Sequence, residues 1–157
     1  MSEIAFAKES IEQNWSDLND RLWPLHWEEF AVDKDVIPLS PDRAAYLEKE
    51  KAGALHLVTA RDKGLLVGYY IAFVHRSLHY QETVTSVSDI FFVHPRYDKF
   101  GQRGRIVDRL LDVAEGMLRA MGVVRMYVAT KHKHPMDPIM RRRGYEITDI
   151  IWRKLLR

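Results

Sequence analysis

The stretch FFVHPRYDKFGQRGRIVDRLLDVAEGMLRAMG, residues 91–122, decides the reading of this chain. It opens as an apolar run, meets Pro95, and crosses a basic loop holding Gly101 and Gly104. Over residues 104–121 the apolar positions Val107, Leu110, Leu111, Ala114, Leu118 and Met121 then recur at helical spacing, and Gly122 supplies a stop. A strand therefore hands over to a helix at a loop carrying Lys99, Arg103, Arg105 and Arg109. The first N–H groups of a helix lack intrahelical partners, and the aligned peptide dipoles add partial positive charge, so such a start accepts an anion. The two glycines let backbone come close to a ligand, and the forked donors of Arg103 and Arg105 suit phosphate oxygens, with Lys99 a looser contributor. A pyrophosphate is the fitting occupant. The chain contains neither G-x-x-x-x-G-K-[ST] nor G-x-G-x-x-G, which argues against ATP and NAD.

Upstream of this stretch, Ile4 to Phe6 reads as a short strand, and Ser10 caps a helix with Ile11, Trp15, Leu18 and Leu22 on one face, which Pro24 should end or kink. A second helix is expected from Pro41 to about Lys51, with Ser40 as its cap and Gly53 past its end. ALHLVTA (54–60) and LLVGYYIAFVH (65–75) are strands joined by a tight turn at RDKG, and TVTSVSDIFFV (83–93) is a third. Downstream, VVRMYVAT (123–130) reads as a buried strand, Asp137 and Pro138 open a short helix that Gly144 ends, and YEITDIIWRKLL (145–156) reads as a last strand region. This order predicts an α/β domain in which a β-meander leads into a βαβ crossover.

At 157 residues with 46% apolar side chains the chain suits a single domain with one sizeable core. No apolar run approaches the roughly 18–20 residues that span a bilayer, and the N-terminus has no basic, apolar signal pattern, so a soluble protein of the cytoplasm is expected. The absence of cysteine excludes disulfides, a thiol nucleophile and thiolate metal sites. Residues 1–60 hold 6 Lys/Arg against 12 Asp/Glu, and residues 61–157 hold 18 against 10, which places an anion site in the second part. Those cations are spread over several elements without a nucleic-acid-reading motif, which ranks DNA or RNA binding last.

The run SDIFFVHPRY…GQRGRIVDRLLDVAEGMLRAMGVVRMYVAT…MRRRGYE resembles the core of the GCN5-related N-acetyltransferase (GNAT) superfamily over about residues 54–156. In that family a strand ending in V-x-P leads into an [RQ]-x-x-G-x-[GA] loop, a helix with LL, a G-V strand and a final G-[FY] strand start. The resemblance implies the GNAT fold, a mixed central sheet of about six to seven strands flanked by helices. Residues 1–53 would supply N-terminal helices and 54–157 the core that binds acetyl-CoA. Gln102 would be the [RQ] position, the backbone of Arg103, Gly104, Arg105, Ile106 and Val107 would hold the pyrophosphate, and Phe91, Phe92 and Val93 would pair with the pantetheine arm like an added strand. The sequence departs from the pattern in three places. The family's two Gly/Ala positions fall on Arg105 and Val107, the proline-to-helix loop is longer than usual, and Met140 stands where members often carry a tyrosine. Through AGALHLVTARDKGLLVGYYIAFVHRSLHY (52–80) and Thr130, Lys131 and His134 after the 123–130 strand, the chain further resembles small acetyltransferase-like proteins of tailed phages and prophages, which implies a host cytoplasm.

Acetyl transfer to an amine needs a base to take the amine proton and correct approach to the thioester carbonyl. Asp89 is the expected base, since the corresponding family strand often carries an acidic residue, with Glu82 and His79 in the preceding connection as further catalytic candidates. Tyr145 and Tyr127 read as strand core residues rather than acids. His94, His132 and His134 match no zinc spacing, so no metal is expected. Arg141 to Arg143 read as an exposed face or as contacts for a 3′-phosphate, and Glu28 and Glu29 as attractors of a cationic amine. The expectation is an acetyl-CoA-dependent N-acetyltransferase acting on an amine of a protein or small molecule, with a homodimer as the family's common state. The alternative is an inactive GNAT-like module, such as a phage protein that engages a host or virion partner.

Overall fold

The computed structural model describes residues 3–156. Five strands form one sheet in the order β1-β2-β3-β4-β5: β1 (Ile4–Glu9), β2 (Leu55–Asp62), β3 (Leu65–Arg76), β4 (Val84–Val93) and β5 (Arg125–Tyr127). The first four pair antiparallel in sequence order and β5 joins β4 in parallel. β2 turns into β3 at Lys63 and Gly64, whose φ angles of 50° and 83° give the left-handed pair a tight hairpin requires. Both sheet faces are covered, so β2 and β3 read as continuous apolar runs. One face holds Leu55, Leu57, Tyr69, Ile71 and Phe92 under the N-terminal helices, and the other holds Val58, Ala60, Tyr70, Ala72 and Val93 under a long helix.

The N-terminal cover begins with α1 (Ile11–Ser16), whose cap Ser10 accepts from the Glu12 and Gln13 amides as expected. Of the two effects expected at Pro24, an end or a kink, the helix does not end: a π-helical segment, Asp17–Leu22, runs into α2 (Trp23–Phe30), and the break in regular α-helix lies just before the proline, which sits in the first turn of α2. The next helix, α3 (Arg43–Lys51), starts later than the sequence predicts. Its cap is Asp42, which accepts from the Ala45 amide, and not Ser40. Across the sheet lies α4 (Gln102–Ala120), which buries Val107, Leu110, Leu111, Ala114 and Leu118 of the predicted stripe together with Ile106, while Met121 caps its end half-buried. α5 (Asp137–Arg142) ends at Gly144, φ 81°, and is tied to α4 by Arg143, which pairs with Asp108, Asp112 and Glu115 at 3.0 Å each. Arg143 is thus a structural clamp, while Arg141 and Arg142 stay exposed.

Two strand expectations fail. The predicted 123–130 strand pairs only over Arg125–Tyr127, and residues 145–156 form no strand, so the sheet has five strands rather than six or seven. Side chains tie the terminal segment at two points: the Tyr145 hydroxyl donates to Glu115 on α4 at 2.9 Å, and Arg153 donates to Asp33 beyond α2 at 2.5 Å. Ile147, Ile150, Ile151 and Trp152 are exposed along it. Strand preference of an isoleucine-rich run depends on packing partners, and here they are absent. No helix among the described residues is long and apolar enough to cross a membrane.

Candidate active site

The site is built where the sheet comes apart. β4 pairs with β5 only through Thr85–Val87, and the last tie is the Ala129 amide donating to Ser88 Oγ at 2.9 Å. Beyond that point Ile90 to Val93 have β3 on one side and no strand on the other. The chain that leaves β5 returns to α2 at His134, whose ring meets Phe30 edge-on with centroids 4.6 Å apart. A wedge is left, and its floor is the free backbone edge of Phe91, Phe92 and Val93.

The wedge leads to the start of α4 through two single 3-10 turns, Pro95–Tyr97 and Lys99–Gly101. Phe100 and Gly101 both adopt left-handed backbone, φ 57° and 67°, and no side chain caps the helix. Gly104 keeps the first turn open: a Cβ there would meet only Ile139 Cδ1, at 3.5 Å. The arginines, however, are committed elsewhere. Arg103 grips Glu29 of α2 with two bonds of 2.7 Å, touches Asp98 at 3.1 Å, and lies over the rings of Phe92 and Phe30. Arg105 donates to the Phe100 carbonyl at 2.8 Å. Glu29 is accordingly a partner of Arg103 rather than a lure for a cationic amine, and Glu28 pairs with Lys34 at 3.2 Å. What the loop presents to an anion is first-turn backbone over Gln102 to Arg105, with exposed Lys99 beside it. Ile106 and Val107 lie a turn further in, with side chains in the core.

At the other end of the wedge stands Asp89. The β3–β4 register runs Ile71↔Ile90 and then Ala72↔Ser88, so Asp89 is the extra residue of a β-bulge. A bulge re-aims its side chain, here towards α3, where the Tyr46 hydroxyl donates to Asp89 Oδ2 at 3.2 Å. Burial raises the Asp89 pKa, and the Tyr46 bond partly opposes this. Around the pair lie Trp15 and Trp23, whose rings are 5.2 Å apart, with Tyr46 at 5.8 and 5.1 Å from them. Deeper in, the Tyr69 hydroxyl and His26 Nδ1 are 2.6 Å apart, and His26 stacks on Phe92 at 5.0 Å. Burial, with Lys131 and Arg103 nearby, lowers the His26 pKa to about 4, so this imidazole is neutral at physiological pH.

Of the three residues expected to act chemically, the structure brings only Asp89 to the wedge. His79 and Glu82 are exposed in the turn between β3 and β4, about 20 Å along the strand from Asp89. Tyr127, expected in the middle of a buried strand, is instead the half-buried last residue of β5. Tyr46, Tyr69 and His26 were missed because each sits in an apolar or helical run that gives no local sign of a polar neighbour across the fold. Among the described residues no group of three or more His, Asp or Glu is placed to hold a metal.

No family sequence model matches the chain, and no curated protein matches it by sequence. Solved structures do match. An aminoglycoside acetyltransferase from an uncultured soil metagenomic sample, in complex with sisomicin, superposes with a TM-score of 0.71 over 98% of this chain and 97% of its own, at 11% identity. A ribosomal-protein-alanine N-acetyltransferase from Brucella melitensis biovar Abortus 2308 gives 0.65 at 14% identity, each chain covered to 98%. A predicted acetyltransferase from Clostridium acetobutylicum, with acetyl-CoA, gives 0.62 at 13% identity over 98% of this chain and 96% of its own. The architecture is thus shared across nearly the whole chain: this protein has the fold of the GCN5-related N-acetyltransferases.

Proposed function

We propose that the protein is an acetyl-CoA-dependent N-acetyltransferase that acts on an amine. One observation carries the reading: a stretch of β4 that is open along one edge runs from a bulged, half-buried carboxylate to an uncapped helix start. An extended pantetheine arm can add to the edge of Phe91, Phe92 and Val93 as a strand would, with the pyrophosphate on the first-turn amides of Gln102, Arg103, Gly104 and Arg105. The residues therefore fit the cofactor. Acetyl-CoA supplies the activated acetyl thioester. The amine nitrogen would bond to the acetyl carbon as the acetyl C–S bond breaks and coenzyme A leaves through its sulfur; Asp89 takes the proton that the amine sheds, and Tyr46 holds that carboxylate in place. His26 and Phe30 close the wedge from the helix side and exclude water. The similar proteins solved with an aminoglycoside or named for a ribosomal-protein alanine support an amine as acceptor.

The second reading, a binding module without turnover, draws on Met140 and on the engagement of Arg103 by Glu29. Calorimetric titration of acetyl-CoA into the wild type and Gly104→Asp separates the two. The aspartate has room, and a carboxylate in the first turn favours the helix while repelling phosphate. Saturable one-to-one binding, weakened at least about tenfold in the variant with an unchanged melting temperature, is expected. No binding by the wild type would sink the catalytic reading and leave the module.

A further inference from the structure

Where β3, β4 and β5 lie side by side, at the end of the sheet away from the start of α4, the surface forms a cavity of about 290 Å³. His75, Thr85 and Arg125 form one row across the three strands, because Thr85 pairs with both of the others. Tyr127 stands in the next row on the same face, opposite Val87 and two residues from Asp89. Phe73, also opposite Val87, packs in the helix-side cluster, so the cavity opens on the face to which Asp89 turns. Ser77, Tyr80 and Thr83, all hydroxyl-bearing, complete the lining, and no Asp or Glu belongs to it.

The telling group is Arg125. Arg103 and Arg143 both sit in carboxylate clamps, but among the described residues Arg125 has no carboxylate within ion-pair distance. Its hydrogen bond runs to the Tyr127 hydroxyl at 3.2 Å, which tilts the guanidinium along β5 towards Asp89. An unneutralised planar guanidinium in a hydroxyl-lined hollow is suited to a carboxylate or phosphate. A polycationic amine would meet a like charge there and no carboxylate to balance it.

Resting on the acetyltransferase reading, we propose that the acceptor is a small amine that also carries an anionic group, its nitrogen at Asp89 and its anion on Arg125. The site is thus set for a zwitterion, and Arg125 fixes specificity without touching the reacting atoms. The structure separates the two ends by about four residues of strand, and the tilt of Arg125 shortens that gap.

The test uses acetyl-CoA as donor and four acceptor sets: ω-amino acids of graded chain length, their carboxamides, ω-aminoalkyl phosphates and an aminoglycoside. Wild type is compared with Arg125→Gln and Arg125→Glu. The wild type should show a KM for one of the two anionic sets at least about tenfold below that of the matching neutral amine, and the better set identifies the anion. Arg125→Gln should raise that KM about tenfold or more, leave kcat and the carboxamide KM within about twofold, and leave acetyl-CoA binding intact. Arg125→Glu should go further and improve the aminoglycoside. Preference for carboxamides or the aminoglycoside by the wild type, or a KM ratio indifferent to Arg125, overturns the proposal. Loss of acetyl-CoA binding in the wild type refutes the activity instead. In that case calorimetry of the same amines, without acetyl-CoA, decides the anion site by whether binding depends on Arg125.

Discussion

Asp89 concentrates the residue-scale argument. Its carboxyl is half-buried on a bulge, and burial raises its pKa above the ordinary 3.8. As a base it must be ionised, so the rate should climb as pH rises through that elevated value. The same shift has a stability consequence of known sign. A group whose folded pKa is raised contributes stability that is present below its unfolded value and lost as pH rises through the folded one. Ionised Asp89 therefore costs stability at neutral pH. Asp89→Asn keeps an acceptor for the Tyr46 hydroxyl and removes the charge. It should lower kcat by roughly 10² to 10⁴ while melting higher than wild type at neutral pH, the difference vanishing below about pH 4. A variant that melts lower at pH 7 would mean that the carboxylate is a structural partner of Tyr46 rather than a strained functional group. The sequence shows an acidic residue in a strand but not the bulge that turns it, since a bulge is a property of two paired strands.

At the scale of elements, the local signals hold where the decisive interaction is local. Ser10 caps α1, Gly144 ends α5, and α4 buries five of the six residues its period selects, Met121 at the C-cap being the exception. The start of α3 shows how nearly equivalent signals compete: Ser40 and Asp42 both precede suitable turns, and the observed cap is Asp42. Asp42→Ala should destabilise the protein by about 1 kcal/mol in urea unfolding, and Ser40→Ala should leave the midpoint unchanged. The reverse outcome would move the helix start back to the predicted place. Arginines are the less legible case, because a guanidinium at the end of a long side chain chooses among carboxylates on other elements. Arg103 and Glu29 are 74 residues apart in the chain, and their pairing at 2.7 Å is invisible until α2 and α4 meet.

For the whole molecule, the sheet is secured on β1 to β4 and open at β5. The three-residue pairing of β5 and the unpaired terminal segment make this edge the loosest part of the sheet. Amide exchange should therefore show residues 146–156 exchanging at close to unstructured rates, Arg125 to Tyr127 an intermediate class, and Leu66 to Ala72 the slowest. Strong protection of 146–156 would instead mean that the segment pairs as a strand, in its own chain or in a second copy. By itself the sequence determined the element order as far as α5, most of the helix faces, the hairpin at Lys63 and Gly64 and the strand-to-helix junction at residues 91–122, because periodicity, capping and turn chemistry act over a few residues. Only the tertiary structure decided where β4 and β5 part, which way Asp89 points, which arginines are spoken for and that Arg125 is left facing a cavity, because each depends on groups brought together from distant parts of the chain.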